Sequence, residues 1–156
     1  MIYFTVTLLL ICLDQGIKFL VRAQLEPTDM IQVIPNLIHL TYQENRGISF
    51  SLLSELPEKF RQPALSGISL LVILGLLFYL WRHWVSTTNL ERWGLMFILS
   101  GAIGNLIDRA FRGSVTDYMY FHFYDTAFFV NNLADDLISI GFLVLLYYSY
   151  RKSNAK

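Results

Sequence analysis

Apolar residues fall into four long runs. A helix that crosses a bilayer needs about 20 mostly apolar residues. Four stretches qualify, at about 2–21, 63–81, 92–110 and 133–150. The second holds the uncharged run from Leu70 to Leu80. The segment at about 23–62 has a different pattern. β-Branched and aromatic residues recur at near-alternate positions from Ile31 to Pro35 and from Leu37 to Tyr42, with Pro35 and Asn36 as punctuation. Asn45 to Gly47 reads as a turn before Ile48. These signals predict a small sheet outside the membrane. Leu56 to Pro63 reads as an interfacial helix or a loop, and 111–131 as a second outward loop. The expected architecture is one membrane-embedded domain over 1–156, mainly α, with four transmembrane helices and a small extracytoplasmic sheet.

Composition supports this reading. Of 156 residues, 54% are hydrophobic and only 15% charged, which is too apolar for an ordinary soluble domain. Aromatic residues make up 15%, as suits side chains at a membrane interface. The first run carries Asp14 and Lys18 and no clear cleavage site follows it, so it reads as a retained helix rather than a signal peptide. Arg82, His83 and Arg92 lie between the second and third runs, and Arg151, Lys152 and Lys156 follow the fourth. The positive-inside rule puts both groups, and with them both termini, in the cytoplasm. Arg22, Arg46, Arg61 and Arg112 fall on the outer side and weaken that count. Zero formal net charge and the lack of a basic block give no sign of a nucleic-acid partner. Cys12 is the only cysteine. It excludes an intrachain disulfide and reads as a packing residue of an apolar helix.

Under this topology the polar residues of the apolar runs share one depth, near the outer leaflet. Ionisable side chains are costly there, so a retained set is a functional hypothesis by default. Asp14 and Lys18, four apart, share a helix face. Their plain reading is a structural ion pair, with Lys18 also able to snorkel. Gly101, Asn105 and Arg109 repeat at four-residue intervals, and Gly101 with Gly104 permits close helix approach. This set reads equally as helix–helix glue or as groups that hold substrate. Asp108 faces another side of the helix and suits an arginine partner. Asp117 alone is a solvated loop acid. Asp135 or Asp136 alone is a first-turn acid favoured by the helix dipole. Together, two carboxylates at one depth beside Asn105 and Arg109 suggest acid/base hydrolysis by an aspartate pair.

Other chemistries fit poorly. His39, His83 and His122 are widely spaced, and no H-E-x-x-H motif or cysteine cluster suggests a metal site. No phosphate-binding glycine loop or G-x-S-x-G elbow occurs. No cofactor is expected.

Five motifs in chain order resemble the lipoprotein signal peptidase (signal peptidase II) family of bacterial membrane aspartyl peptidases. Asp14, Gln15 and Lys18 resemble D-Q-x-x-K. Asn45, Gly47, Phe50 and Ser51 resemble N-x-G-x-x-F-S. Gly101, Gly104, Asn105, Asp108 and Arg109 match G-x-x-G-N-x-x-D-R. Gly113, Val115, Asp117 and Tyr118 resemble G-x-V-x-D-[FY], and Asn132, Ala134 and Asp135 resemble N-x-A-D. The resemblance implies that Asp117 and Asp135 are a catalytic dyad. It implies that Asn45, Gly47, Asn105, Arg109 and Asn132 bind substrate, with Asp14, Lys18, Gly101, Gly104 and Asp108 in support. It also implies four helices with a small outward β-cradle, and cleavage of prolipoproteins N-terminal to a diacylglyceryl-modified cysteine in the bacterial cytoplasmic membrane. Membrane lipid and globomycin-like peptide inhibitors are the further partners implied, with the protein as a monomer.

Three places depart from the family pattern. Ile48 and Ser49 replace Ala-Ala, Asn131 replaces an aromatic residue, and Asp136 replaces serine. An extra carboxylate at 136 could raise a neighbour's pKa or rival Asp135 as the partner of Asp117. Two other functions use the same residues. A small proton-coupled transporter would use the buried acids, but four spans without an inverted repeat fit it badly. A non-cleaving relative would bind lipidated proteins without cutting them.

Overall fold

The computed structural model describes residues 1–47 and 57–154. Four helices, α1 (Ile2–Gln24), α2 (Glu58–His83), α3 (Asn89–Arg112) and α4 (Leu133–Asn154), bracket the four predicted spans. Each is long and apolar enough to cross a membrane. Most of the large side chains on α1, α2 and α4 face outward, including Phe4, Leu8, Leu71, Phe78, Phe142 and Leu143. Such exposure would be untenable in water and is ordinary in lipid. Cys12 is exposed on this surface, so it faces lipid rather than packing inside. The described part of the 56–63 stretch, from Glu58 onward, continues directly into α2. The expected turn before Ile48, and that residue's departure with Ser49, lie outside the described residues.

Helix α3 is the centre of the bundle. Half of its apolar window is buried, against 17–22% for the other three helices. It packs on all three. Leu95, Met96, Leu99 and Ala102 meet Ile73 and Leu80 of α2 in the buried core. The α3–α4 seam has almost no room. A Cβ on Gly101 would run into the Ala134 carbonyl, and one on Gly141 would lie 2.6 Å from the Gly94 carbonyl oxygen. Small residues are needed where helices come this close. Gly101→Ala should therefore cost about 1–3 kcal/mol, because a backbone carbonyl cannot rotate away as a side chain can. Gly75 of α2 has nothing within 4 Å, and Gly75→Ala should be neutral or slightly stabilising. Thermal unfolding of both variants in detergent checks the contrast.

The segments between α1 and α2 and between α3 and α4 form one four-stranded antiparallel sheet in the order β1 (Ile31–Ile34), β2 (Ile38–Asn45), β3 (Val115–Phe123), β4 (Thr126–Asn131). The first two strands match the alternation seen in the sequence. The second two replace the expected loop at 111–131. Strand β3 runs apolar and aromatic without clean alternation, because Val115 to Tyr118 are all buried. Gly113 ends α3 at φ 74°, with its N–H bonded to the Arg109 carbonyl at 3.0 Å. That left-handed cap turns the chain back so that β3 starts two residues later. Pairing of β2 with β3 also brings together two histidines that lie far apart in sequence. The ring centroids of His39 and His122 are 4.4 Å apart. No group of three or more metal-ligating side chains forms among the described residues.

Candidate active site

Asp117 and Asp135 reach one place from different elements. Asp117 lies on the inner strand β3, opposite Gln43 of β2, and is 3% exposed. It is not a solvated loop acid. Asp135 lies in the first turn of α4. The two carboxylates share a donor: the Asn132 amide nitrogen is 2.5 Å from Asp117 Oδ1 and 3.1 Å from Asp135 Oδ2.

The outer oxygens are held as well. Asn45 Nδ2 donates to Asp117 Oδ2 at 2.9 Å, and Asn105 Nδ2 donates to Asp135 Oδ1 at 2.7 Å. All four carboxylate oxygens thus receive an amide N–H, supplied by three asparagines. Each amide is oriented by a bond to its own oxygen. Gly47 N–H donates to Asn45 Oδ1 at 3.0 Å, Asp135 N–H to Asn132 Oδ1 at 3.1 Å, and Lys18 Nζ to Asn105 Oδ1 at 2.9 Å.

Behind Asn105 lies a fully buried charge cluster. Lys18 is 3.0 Å from Asp14 and 3.1 Å from Asp108. With Asn105, these give its ammonium three acceptors. Lys18 is 0% exposed, so it does not snorkel. Asp108 also lies 3.5 Å from Arg22 and 3.3 Å from Arg112, and accepts the Thr116 N–H at 3.3 Å. Asp14 Oδ1 accepts the Ala134 N–H at 3.0 Å, and Gly104 lets Asp14 approach α3, since a Cβ there would meet Asp14 Oδ2 at 2.6 Å.

The start of α4 ties this support to the carboxylates. Helix N-termini leave unpaired N–H groups. Here the first four are taken in turn by the Tyr118 hydroxyl, Asp14, Asn132 Oδ1 and the Asn132 carbonyl. Burial above all pushes the Tyr118 hydroxyl above its ordinary pKa, so it stays neutral and accepts the Leu133 N–H. Asp135 is therefore fixed by its backbone as well as its side chain. Tyr118, Gln15 and Arg22 are contributors that sequence reasoning did not single out as site residues. Gln15 bonds both Asp14 and the Gly104 carbonyl, and Arg22 bonds Thr116 at 2.6 Å. Gln15 and Tyr118 did stand inside the quoted motifs; Arg22 had only its position one turn beyond Lys18.

Asp135 opens onto a cavity of about 370 Å³ between α2, α3 and α4, and Asp117 is joined to it through the cavity-lining Asn45. Leu65, Ile68, Val72, Ile98 and Ile138 make its apolar wall, and Asn45, Gly47, Asn105, Arg109 and Asp135 its polar end. Arg109 has no ion-pair partner within 4 Å among the described residues, and it lines this cavity. Burial, opposed by the Asn45 bond and reinforced by the Asp135 charge, pushes the Asp117 carboxyl up to about 6.

Asp136 is not a rival partner of Asp117. Its Oδ1 accepts from Asn131 Nδ2 at 2.6 Å. Two of the departures from the family pattern are therefore bonded to each other.

A buried carboxyl pair with one member lining a cavity, in a protein with four membrane-length helices, defines a polytopic membrane protein with a candidate acid/base site. A family model described as signal peptidase (SPase) II matches residues 6–151. The lipoprotein signal peptidase of Streptococcus pneumoniae is 36% identical over 141 residues, spanning 90% of this chain and 87% of its own length. That of Brucella ovis is 41% identical over 136 residues, spanning 87% and 81%. The fold is similar to two bacterial membrane enzyme structures determined in meso at 2.3 and 1.9 Å, with TM-scores of 0.84 and 0.81 at 20% and 22% identity. They cover 99% and 94% of this chain and are themselves covered over 90%. The chain belongs to the signal peptidase II family, and it is an aspartic peptidase of lipoprotein processing. The transporter and non-cleaving readings are not favoured.

Proposed function

We propose that Asp117 and Asp135 are the catalytic pair, and that the chain cleaves prolipoproteins N-terminal to the diacylglyceryl-modified cysteine. The observation that carries this reading is the set of amide donors on all four carboxylate oxygens, at the edge of an apolar cavity. The cavity wall suits acyl chains and an apolar signal helix. Asn45, Asn105 and Asn132 hold the carboxyls and meet the peptide, the Gly47 backbone orients Asn45 beside them, and Arg109 places a cation beside the reacting carbonyl. Lys18, Asp14 and Asp108 act in support, with Gly101 and Gly104 allowing the close approach.

Two carboxyls sharing a donor in a dry site hold one proton between them. The ionised member takes a proton from water as the water oxygen attacks the scissile carbonyl. The protonated member donates to the carbonyl oxygen, and a proton reaches the leaving amine as the C–N bond breaks. Water and the two carboxyls suffice for this step. The products are the signal peptide carboxylate and the free amino group of the lipidated cysteine.

The protein acts as one domain in the bacterial cytoplasmic membrane, with both termini inside and the dyad near the outer leaflet. The K/R distribution and the common depth of the polar cluster support this placement. It works as a monomer, and globomycin-like peptide inhibitors compete for the cavity.

The test is incubation of the purified protein with diacylglyceryl-modified and unlipidated prolipoprotein, with products read by mass. Cleavage is expected only before the lipidated cysteine. No cleavage by folded protein would remove the assignment. The pH profile adds a check. With the Asp117 carboxyl at about 6, the shared proton is lost as pH rises through that value, so kcat/KM of the free enzyme falls on the alkaline side. The Asn45 bond favours ionised Asp117, so Asn45→Ala should move this transition to higher pH.

A further inference from the structure

The turn between β4 and α4 carries Asn132, whose amide spans both carboxylates. Its neighbour Asn131 ends β4, opposite Met119 of β3. Strand periodicity puts Met119 on the same face as Asp117. From there Asn131 reaches across the turn to Asp136, in the first turn of α4, at 2.6 Å. The Asn132 carbonyl accepts from the Asp136 N–H, and its side chain caps Asp135. The Asn131–Asp136 bond therefore closes a loop whose only enclosed residues are Asn132 to Asp135.

We propose that Asn131 and Asp136 form a clasp that holds the strand-to-helix turn, so that Asn132 spans the two reacting carboxyls. Both are positioning residues; neither touches substrate. The clasp rests on the dyad reading given above. Its physical basis is charge assistance: an amide donor on a half-buried carboxylate is roughly twice as strong as a neutral bond. Asn132 has a single nitrogen to serve two carboxylates, so a small rotation of the turn lengthens one bond when it shortens the other. Misplacement by an ångström can cost up to about 100-fold in rate.

The test is a cycle of Asn131→Ala, Asp136→Ala and the double variant, with Asp136→Asn as the conservative control, all assayed on lipidated prolipoprotein in detergent. Each single alanine variant is expected to lower kcat about tenfold with KM nearly unchanged. The double variant should be no slower than the worse single, as members of one bond are non-additive. Asp136→Asn keeps an acceptor for Asn131 without the charge and should recover part of the loss. Additive losses, a loss confined to KM, or Asp136→Asn as slow as Asp136→Ala would each overturn the clasp. Should Asp136→Ala fail to fold, the Asn131→Ala and Asp136→Asn pair still decides it. Asp117→Asn, run beside them, separates the two claims. Full turnover in that variant removes the dyad reading, whereas lost turnover there with unaffected alanine variants removes only the clasp.

Discussion

Asp117→Asn and Asp135→Asn should each lower prolipoprotein turnover by a factor on the order of 10³, which is the scale of positioned acid/base catalysis. The double variant should be no worse, because the two carboxyls act as one unit. An amide at either position can neither take the proton from water nor pass one to the carbonyl and amine. Fold should survive. Each substitution leaves the pair with a single negative charge, as the shared proton did, and costs about one amide partner, since an asparagine oxygen accepts where a carboxylate accepted twice. Thermal unfolding should therefore move little while cleavage disappears. Asn132→Ala is the informative companion. It removes a donor from both carboxyls at once, and should slow cleavage while leaving the pH dependence measurable. Turnover retained in both dyad variants would sink the mechanism.

Lys18→Met should be the most damaging change to stability, at about 3–5 kcal/mol. The ammonium is fully buried and serves Asp14, Asp108 and Asn105. Its removal takes a cation from two buried carboxylates, and methionine supplies none. Asp108 keeps Arg22 and Arg112, but among the described residues Asp14 keeps only Gln15 and the Ala134 N–H. The damage reaches the site, because Lys18 fixes the Asn105 oxygen and thereby turns the Asn105 nitrogen to Asp135. Lys18→Arg is not a remedy, since a planar guanidinium does not fit three acceptors arranged around a point charge. Thermal unfolding in detergent and cleavage by whatever folded fraction remains measure both effects. A loss below about 1 kcal/mol would mean that water reaches the cluster.

The four helices were legible because lipid demands long apolar runs, and such runs are local. The two aspartates that meet, and the asparagines bonded to them, were legible through motifs read in order, which gave names to residues without showing their contacts. Hydrogen bonding was not legible. Asp117 looked like a loop acid because β3 is buried on both faces near its start and shows no alternation over Val115 to Tyr118. Lys18 looked able to snorkel, since nothing local announces that Asp108, ninety residues away, supplies a second carboxylate. Tyr118 and Gln15 act on backbone groups of distant helices, and those targets have no sequence signal. The departures at Asn131 and Asp136 appeared as separate anomalies until their side chains were seen to be bonded.

By itself the sequence determined a four-span membrane chain and a segment with strand character between its first two spans, because hydrophobic length and periodicity act along the chain. Tertiary structure alone decided that β2 and β3 pair, that α3 lies at the centre, and that one asparagine nitrogen serves two carboxylates. Those outcomes depend on contacts between residues far apart in sequence, where packing at glycine seams and the satisfaction of buried charges select one arrangement.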